Sequence, residues 1–113
     1  MATTREIAFE RLEVLDESLS STIEDLLAAR NRVKRLMDQR ESDAPWAEMV
    51  TELEGPLVVE LVTRSLTSLS DAGSKFRRAQ AEALRSEGLP MTRIAALFGV
   101  SRQRISSLLA RTN

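Results

Sequence analysis

IAALFGVSRQRISSLL, residues 94–109, is the stretch that decides how this chain is read. From Met91 to Phe98 the apolar spacing is that of a short helix opened by Pro90, with Ile94, Ala95, Leu97 and Phe98 directed inward. Gly99-Val100-Ser101 is a turn. Ser101 is a natural N-cap for a second short helix, 102–110, whose buried side is Ile105, Leu108 and Leu109. Upstream, KFRRAQAEALRSEG (75–88) predicts a basic helix with Phe76, Ala79, Ala83 and Leu84 on or near one face. Gly88 suits the position just past its end, and Leu89 the apolar contact that seals such a cap.

Working back to the amino terminus, residues 3–39 contain no Gly or Pro and read as one long helix, with Thr4 as N-cap and Glu6 in its first turn. A heptad fits it, with Leu12, Leu19, Leu26 and Val33 at a and Ala8, Leu15, Thr22, Ala29 and Leu36 at d. Ile23 and Met37 broaden the stripe. A helix of roughly 55 Å at 1.5 Å per residue needs a partner along its length, either a returning helix of the same chain or a second subunit. Ser42-Asp43-Ala44-Pro45 makes a turn and a new start. Trp46, Met49, Val50 and Leu53 then share one face of a short helix ended by Gly55, and Pro56 opens the next helix. There Leu57, Val58, Leu61, Val62, Leu66 and Leu69 keep helical spacing, so this segment can run antiparallel to the first. Asp71-Ala72-Gly73-Ser74 reads either as a joint capped by Ser74 or as a weak point in one continuous helix, since one Gly costs only about 1 kcal/mol.

The fold class that follows is all-α: a long N-terminal helical hairpin or coiled-coil arm, 1–73, and a compact C-terminal head, 74–113. Hydrophobic residues at 42% support a core, and the helix formers leave almost no β alternation. Aromatics are only 4%, namely Phe9, Trp46, Phe76 and Phe98, too few for a base-stacking platform. With no Cys and no His, thiol nucleophiles, disulfides, imidazole bases and thiolate or imidazole metal sites are excluded. No catalytic set, metal site or cofactor is expected, and the chain is read as not an enzyme. The opening residues, MATTREIAFERLE, carry charges throughout and no apolar run, so neither a signal peptide nor a membrane span is expected. The formal net charge of −1 hides a division. Residues 1–74 hold 8 Lys+Arg against 15 Asp+Glu, a balance of −7, and residues 75–113 hold 8 against 2, a balance of +6. Such a split suits a protein with one nucleic-acid-binding end.

The words IAALFGVSRQRISSLL resemble bacterial helix-turn-helix transcriptional regulators. Counted from Met91, that family has a small residue at the fifth position, glycine at the ninth, and apolar residues at the fourth, eighth, tenth, fifteenth and eighteenth. Ala95, Gly99, Ile94, Phe98, Val100, Ile105 and Leu108 stand there. Ala95 lets the two helices cross closely, Gly99 takes a left-handed backbone, and the apolar set fills a small core. The departure is Pro90-Met91, where the family more often has a capping Ser or Thr. The tail is also similar to the DNA-reading ends of sigma factors and resolvases, although no sigma-factor core or resolvase catalytic domain is recognisable.

The resemblance implies that helix 102–110 enters the major groove of double-stranded DNA by its amino end. Opposite Ile105 lie Gln103, Ser106, Ser107 and Ala110, flanked by Arg102 and Arg104. Arg102 and Gln103 are then the expected base readers, because Arg suits guanine and Gln suits adenine through paired hydrogen bonds, with Ser106 a third. Thr92, Arg93, Ser101, Arg104 and Ser107 are the expected phosphate contacts, and Arg77, Arg78 and Arg111 add positive field. One such module reads few base pairs, so a homodimer paired through the arm is expected, in the cytoplasm on the nucleoid. A second basic cluster, Arg30, Arg32, Lys34, Arg35 and Arg40, pairs with Glu48, Glu52 and Glu54 across the turn or else touches DNA. The other functional reading is a coiled-coil adaptor whose head or acidic arm binds a protein of the transcription machinery.

Overall fold

The computed structural model describes residues 1–53 and 55–110, and among them the chain is all-helical, with five helices and no strand. In order these are α1 (Thr4–Met37), α2 (Trp46–Glu52), α3 (Val58–Ser86), α4 (Met91–Phe98) and α5 (Arg102–Ala110). No helix among the described residues is long and apolar enough to cross a membrane.

The cap of α1 is Thr3, one residue before the expected Thr4. Its Oγ1 accepts the Glu6 N–H at 3.1 Å, and Glu6 Oε2 accepts the Thr3 N–H at 3.3 Å. This reciprocal arrangement satisfies two otherwise orphaned donors of the first turn. At the other end, Lys34 and Arg35 stand where unpaired carbonyls favour cations. The backbone then tightens, with Gln39 and Arg40 donating to the carbonyls of Leu36 and Met37 at 3.1 Å each.

Ser42 Oγ accepts the Ala44 N–H at 3.1 Å, turning the chain into Pro45, the N-cap of α2. Met49 is buried as its spacing predicts, but Trp46 is 67% exposed. Helical side chains lean toward the helix amino terminus, so a side chain on the first residue of this seven-residue helix projects past the turn that Met49 covers. Helix α3 starts at Val58 rather than Pro56, with the Leu61 N–H bonded to the Leu57 carbonyl at 3.0 Å. It then runs 29 residues without a break, straight through Gly73.

The chain divides into two compact units. One joins Met1–Asp16 to the described residues from Asp71 onward, and the other is Glu17–Ser70. Both divisions fall inside continuous helices, so the expected boundary after residue 73 marks no break in the backbone.

In the second unit Thr22, Ala29, Met49, Leu61 and Ser65 are buried. The Ser65 hydroxyl lies within reach of Asp25 Oδ2 and of the Leu61 carbonyl, each at 2.9 Å. Arg32 covers Gly55 so closely that a Cβ there would meet its guanidinium at 2.5 Å. As the numbering rises from 55 to 65 the partner falls from 32 to 25, the sense of an antiparallel pair. The predicted heptad of α1 is unevenly buried. Of its d residues, Thr22 and Ala29 are buried and Ala8, Leu15 and Leu36 half-buried, whereas Leu12, Leu19, Leu26 and Val33 at a stay 39–43% exposed.

Gly55 combines this close approach with φ +90°, a conformation that costs a side chain about 1–2 kcal/mol. Gly55→Ala should therefore lower the urea midpoint of the second unit, read by exchange of α2 and α3 amides. An unchanged midpoint would show that the turn does not hold these helices together.

Candidate functional site

The first unit carries a closely packed apolar cluster. Ala81, Ile94, Ala95 and Ile105 are 0–4% exposed, with Leu84, Leu89, Met91, Phe98, Val100, Leu108 and Leu109 packed around them. These residues come from the end of α3, from α4 and from α5, so a single core fixes all three. Two chain reversals bring them together. At the end of α3 the Gly88 N–H bonds to the Arg85 carbonyl at 3.0 Å and the Leu89 N–H to the Leu84 carbonyl at 3.1 Å. This pair of bonds closes the helix and turns Leu89 back onto it.

After α4, Gly99 takes φ 66° and ψ 32°, the left-handed conformation. It lets the Val100 N–H reach the Ala95 carbonyl at 3.0 Å. The chain then enters α5 through Ser101, whose Oγ accepts the Arg104 N–H at 3.1 Å. All seven positions on which the resemblance rests lie in this cluster or at this turn. Leu97 departs from the expected inward set, at 64% exposed. At 100° per residue it stands more than a quarter-turn from the line through Ile94, Ala95 and Phe98, so it flanks the packed face.

Beside this core, α3 and the α4–α5 corner enclose an open groove of about 910 Å³. Asp71, Ser74, Lys75, Arg77 and Arg78 line it from α3, and Phe98, Val100, Ser101, Gln103, Arg104, Ile105, Ser107 and Leu108 from the other side. Four cations against one carboxylate make its walls basic. Lys75 pairs with Asp71 at 3.2 Å and Arg78 with Glu82 at 3.4 Å, both between successive helical turns. The Lys75–Asp71 pair is exposed, and such pairs contribute roughly 0.3–0.5 kcal/mol, whereas Arg78 and Glu82 are half-buried.

Arg77 is engaged differently. It donates to the Phe98 carbonyl at 3.4 Å, and its guanidinium carbon lies 5.4 Å from the Phe98 ring centroid. It therefore clasps the end of α4 to α3, a structural task in addition to any long-range field it supplies.

Of the residues singled out from sequence, Gln103, Ser101, Arg104, Ser107, Arg77 and Arg78 line this one groove. Arg102, Ser106, Thr92 and Arg93 are exposed and lie outside its lining. Arg111 lies outside the described residues, as does Glu54 of the acidic segment. Around the α5 axis from Ile105, Gln103 points almost directly outward, with Arg102 and Ser106 on one flank and Arg104 and Ser107 on the other. Asp71, Ser74 and Lys75 were not singled out as site residues. Their spacing with Arg78, 71-74-75-78, is one helical face, but that face exists only if α3 is continuous across Gly73.

Chemically, the arrangement offers guanidinium, ammonium, hydroxyl and amide donors around a capped helix start, a set suited to anionic oxygens and to polar edges that accept and donate hydrogen bonds. Comparison of the chain with protein-family models, with curated proteins and with solved structures finds no match in any of the three.

Proposed function

We propose that this chain is a sequence-specific DNA-binding transcriptional regulator, with α4 and α5 as a helix-turn-helix head and residues 1–73 as a helical arm that pairs two copies. The observation that carries the reading is the left-handed Gly99 between two helices crossing over buried Ile94, Ala95 and Ile105. That corner leaves Arg102, Gln103 and Ser106 together on the solvent side of a helix capped by Ser101. In this reading α5 lies in the major groove of double-stranded DNA. Arg102 and Gln103 contact base edges, and Arg93, Arg104 and Arg78 contact phosphate. The basic groove flanks the reading face. Such a protein works in the bacterial cytoplasm on the nucleoid.

The test is binding of the full chain to random duplex DNA across a salt series, followed by selection of a preferred site. No association even at low salt overturns the reading. Gln103→Ala should relax preference at one base position by about 1–3 kcal/mol, while Arg93→Ala should weaken all sequences alike and reduce the salt slope by about one. Arg77 is the wrong choice for that second comparison, because its clasp on Phe98 mixes stability into the result.

The exposed Trp46, Val59 and Leu66 favour a second reading, an adaptor whose acidic arm binds a protein of the transcription machinery. Capture of such a partner that requires residues 1–70 and survives loss of Arg102 and Gln103 would select it.

A further inference from the structure

The a residues that α1 leaves exposed do not stand alone. Together with Phe9, Ile23 and Met37, which are 51–63% exposed, they form one row spaced alternately by three and four residues. It lies on a single uninterrupted helix. Two members of the row are charged, Asp16 and Arg30, and both are exposed. They stand seven residues on either side of Ile23, with opposite signs. Leu19 and Leu26 fall between them and Ile23, and Leu12 and Val33 beyond them, each pair equidistant from Ile23 to within one residue.

From this row we infer that α1 binds the α1 of a second copy in antiparallel orientation, about a two-fold axis near Ile23. The inference rests on the pairing of two copies proposed above and adds its surface and its direction. A row of three-four spacing is the seam by which helices pack side by side. Its seven apolar side chains offer roughly 600 Å² on each copy, near the 800 Å² per partner of a standard stable interface and at the upper end of what a monomer leaves bare. Charge decides the direction. A parallel, in-register pair sets Asp16 against Asp16 and Arg30 against Arg30 inside an apolar seam, where like charges oppose association. The antiparallel pair brings each Asp16 to the Arg30 of the other copy, twice by symmetry. The same row offers an unrelated apolar helix no such match.

The test uses sedimentation of the full-length protein and a charge-exchange cycle. We expect a dimer. Asp16→Arg and Arg30→Asp, each alone, should weaken it about tenfold or more, which is 1.4 kcal/mol, and the two combined should restore it. In a parallel pair, neither single exchange relieves or creates an opposite-charge contact, so the cycle stays flat and the inference fails. Because the chain has no cysteine, single cysteines report geometry directly. Leu12→Cys mixed with Val33→Cys should form a disulfide-linked heterodimer, and self-linking of Leu12→Cys alone overturns the antiparallel arrangement. A monomer at high micromolar concentration overturns the pairing itself. DNA binding is scored separately: an antiparallel dimer that ignores DNA removes the regulator reading and leaves this one standing, and a monomer that binds DNA does the reverse.

Discussion

Ile94→Ala should strip protection from the amide hydrogens of α4 and α5, with exchange rising at least 30-fold. Ile94 is fully buried in the cluster shared by α3, α4 and α5. Truncating such a side chain removes its transfer free energy and leaves a cavity, together about 2–5 kcal/mol. The cluster is small, so its lining has few other side chains with which to collapse into the hole. Alanine is also a better helix former than isoleucine, which offsets only a few tenths of a kcal/mol. Hydrogen exchange followed residue by residue is the suitable readout, because the chain forms two compact units and one denaturation midpoint need not report on this one. If α5 stays as protected as before, the packing described for Ile94 and Ile105 is wrong. Any loss of DNA binding in this variant should scale with the loss of protection and not with sequence.

Gly99→Val should be nearly as damaging, by a different route. No side-chain contact is removed, and a Cβ at this position meets nothing within 4 Å. The cost is in the backbone, because a β-branched residue at φ 66° is a strained outlier, at about 1–3 kcal/mol. The chain can relieve that strain by rotating the residue out of the left-handed region. It then gives up the bond from the Val100 N–H to the Ala95 carbonyl and re-aims α5. Gly99→Asn is the matched control, since asparagine tolerates this conformation. Valine should lower both protection and any DNA affinity, and asparagine should largely keep both. Equal damage from the two would mean that something other than the backbone angle makes glycine necessary.

Much of the C-terminal corner was legible because each of its constraints is local. A left-handed residue calls for Gly99, an exposed helix start for Ser101, and a close crossing for Ala95, so each position reports its own requirement. The cap of α1 was expected one residue too late, at Thr4, although the signal for Thr3 is local too. Thr3 and Thr4 are both capping residues, and Glu6 three positions after Thr3 selects Thr3 through the reciprocal bonds observed. Other features depend on neighbours that sequence does not name. Periodicity placed Leu97 and Trp46 on apolar faces, but an apolar face becomes buried only where another element reaches it. The heptad of α1 was visible, yet only packing shows that Thr22 and Ala29 go inward while Leu19 and Leu26 stay out. Gly73 was undecidable because its local penalty is small beside the 29-residue helix that contains it. On the α3 wall of the groove Arg77 and Arg78 were legible, but the face they share with Asp71, Ser74 and Lys75 was hidden behind that one uncertainty.

The corner at Gly99 also separates two kinds of information. The residues that hold the head together, Ala81, Ile94, Ala95 and Ile105, are not those that face outward from α5. Arg102, Gln103 and Ser106 are exposed and contribute nothing to that cluster. Mutations at these three positions should therefore be nearly neutral for folding, and under the proposed DNA-reading role a lineage could change its recognition sequence without passing through unfolded intermediates. A library randomised at 102, 103 and 106 should consist largely of folded proteins, differing, if the proposed role holds, in the DNA they select.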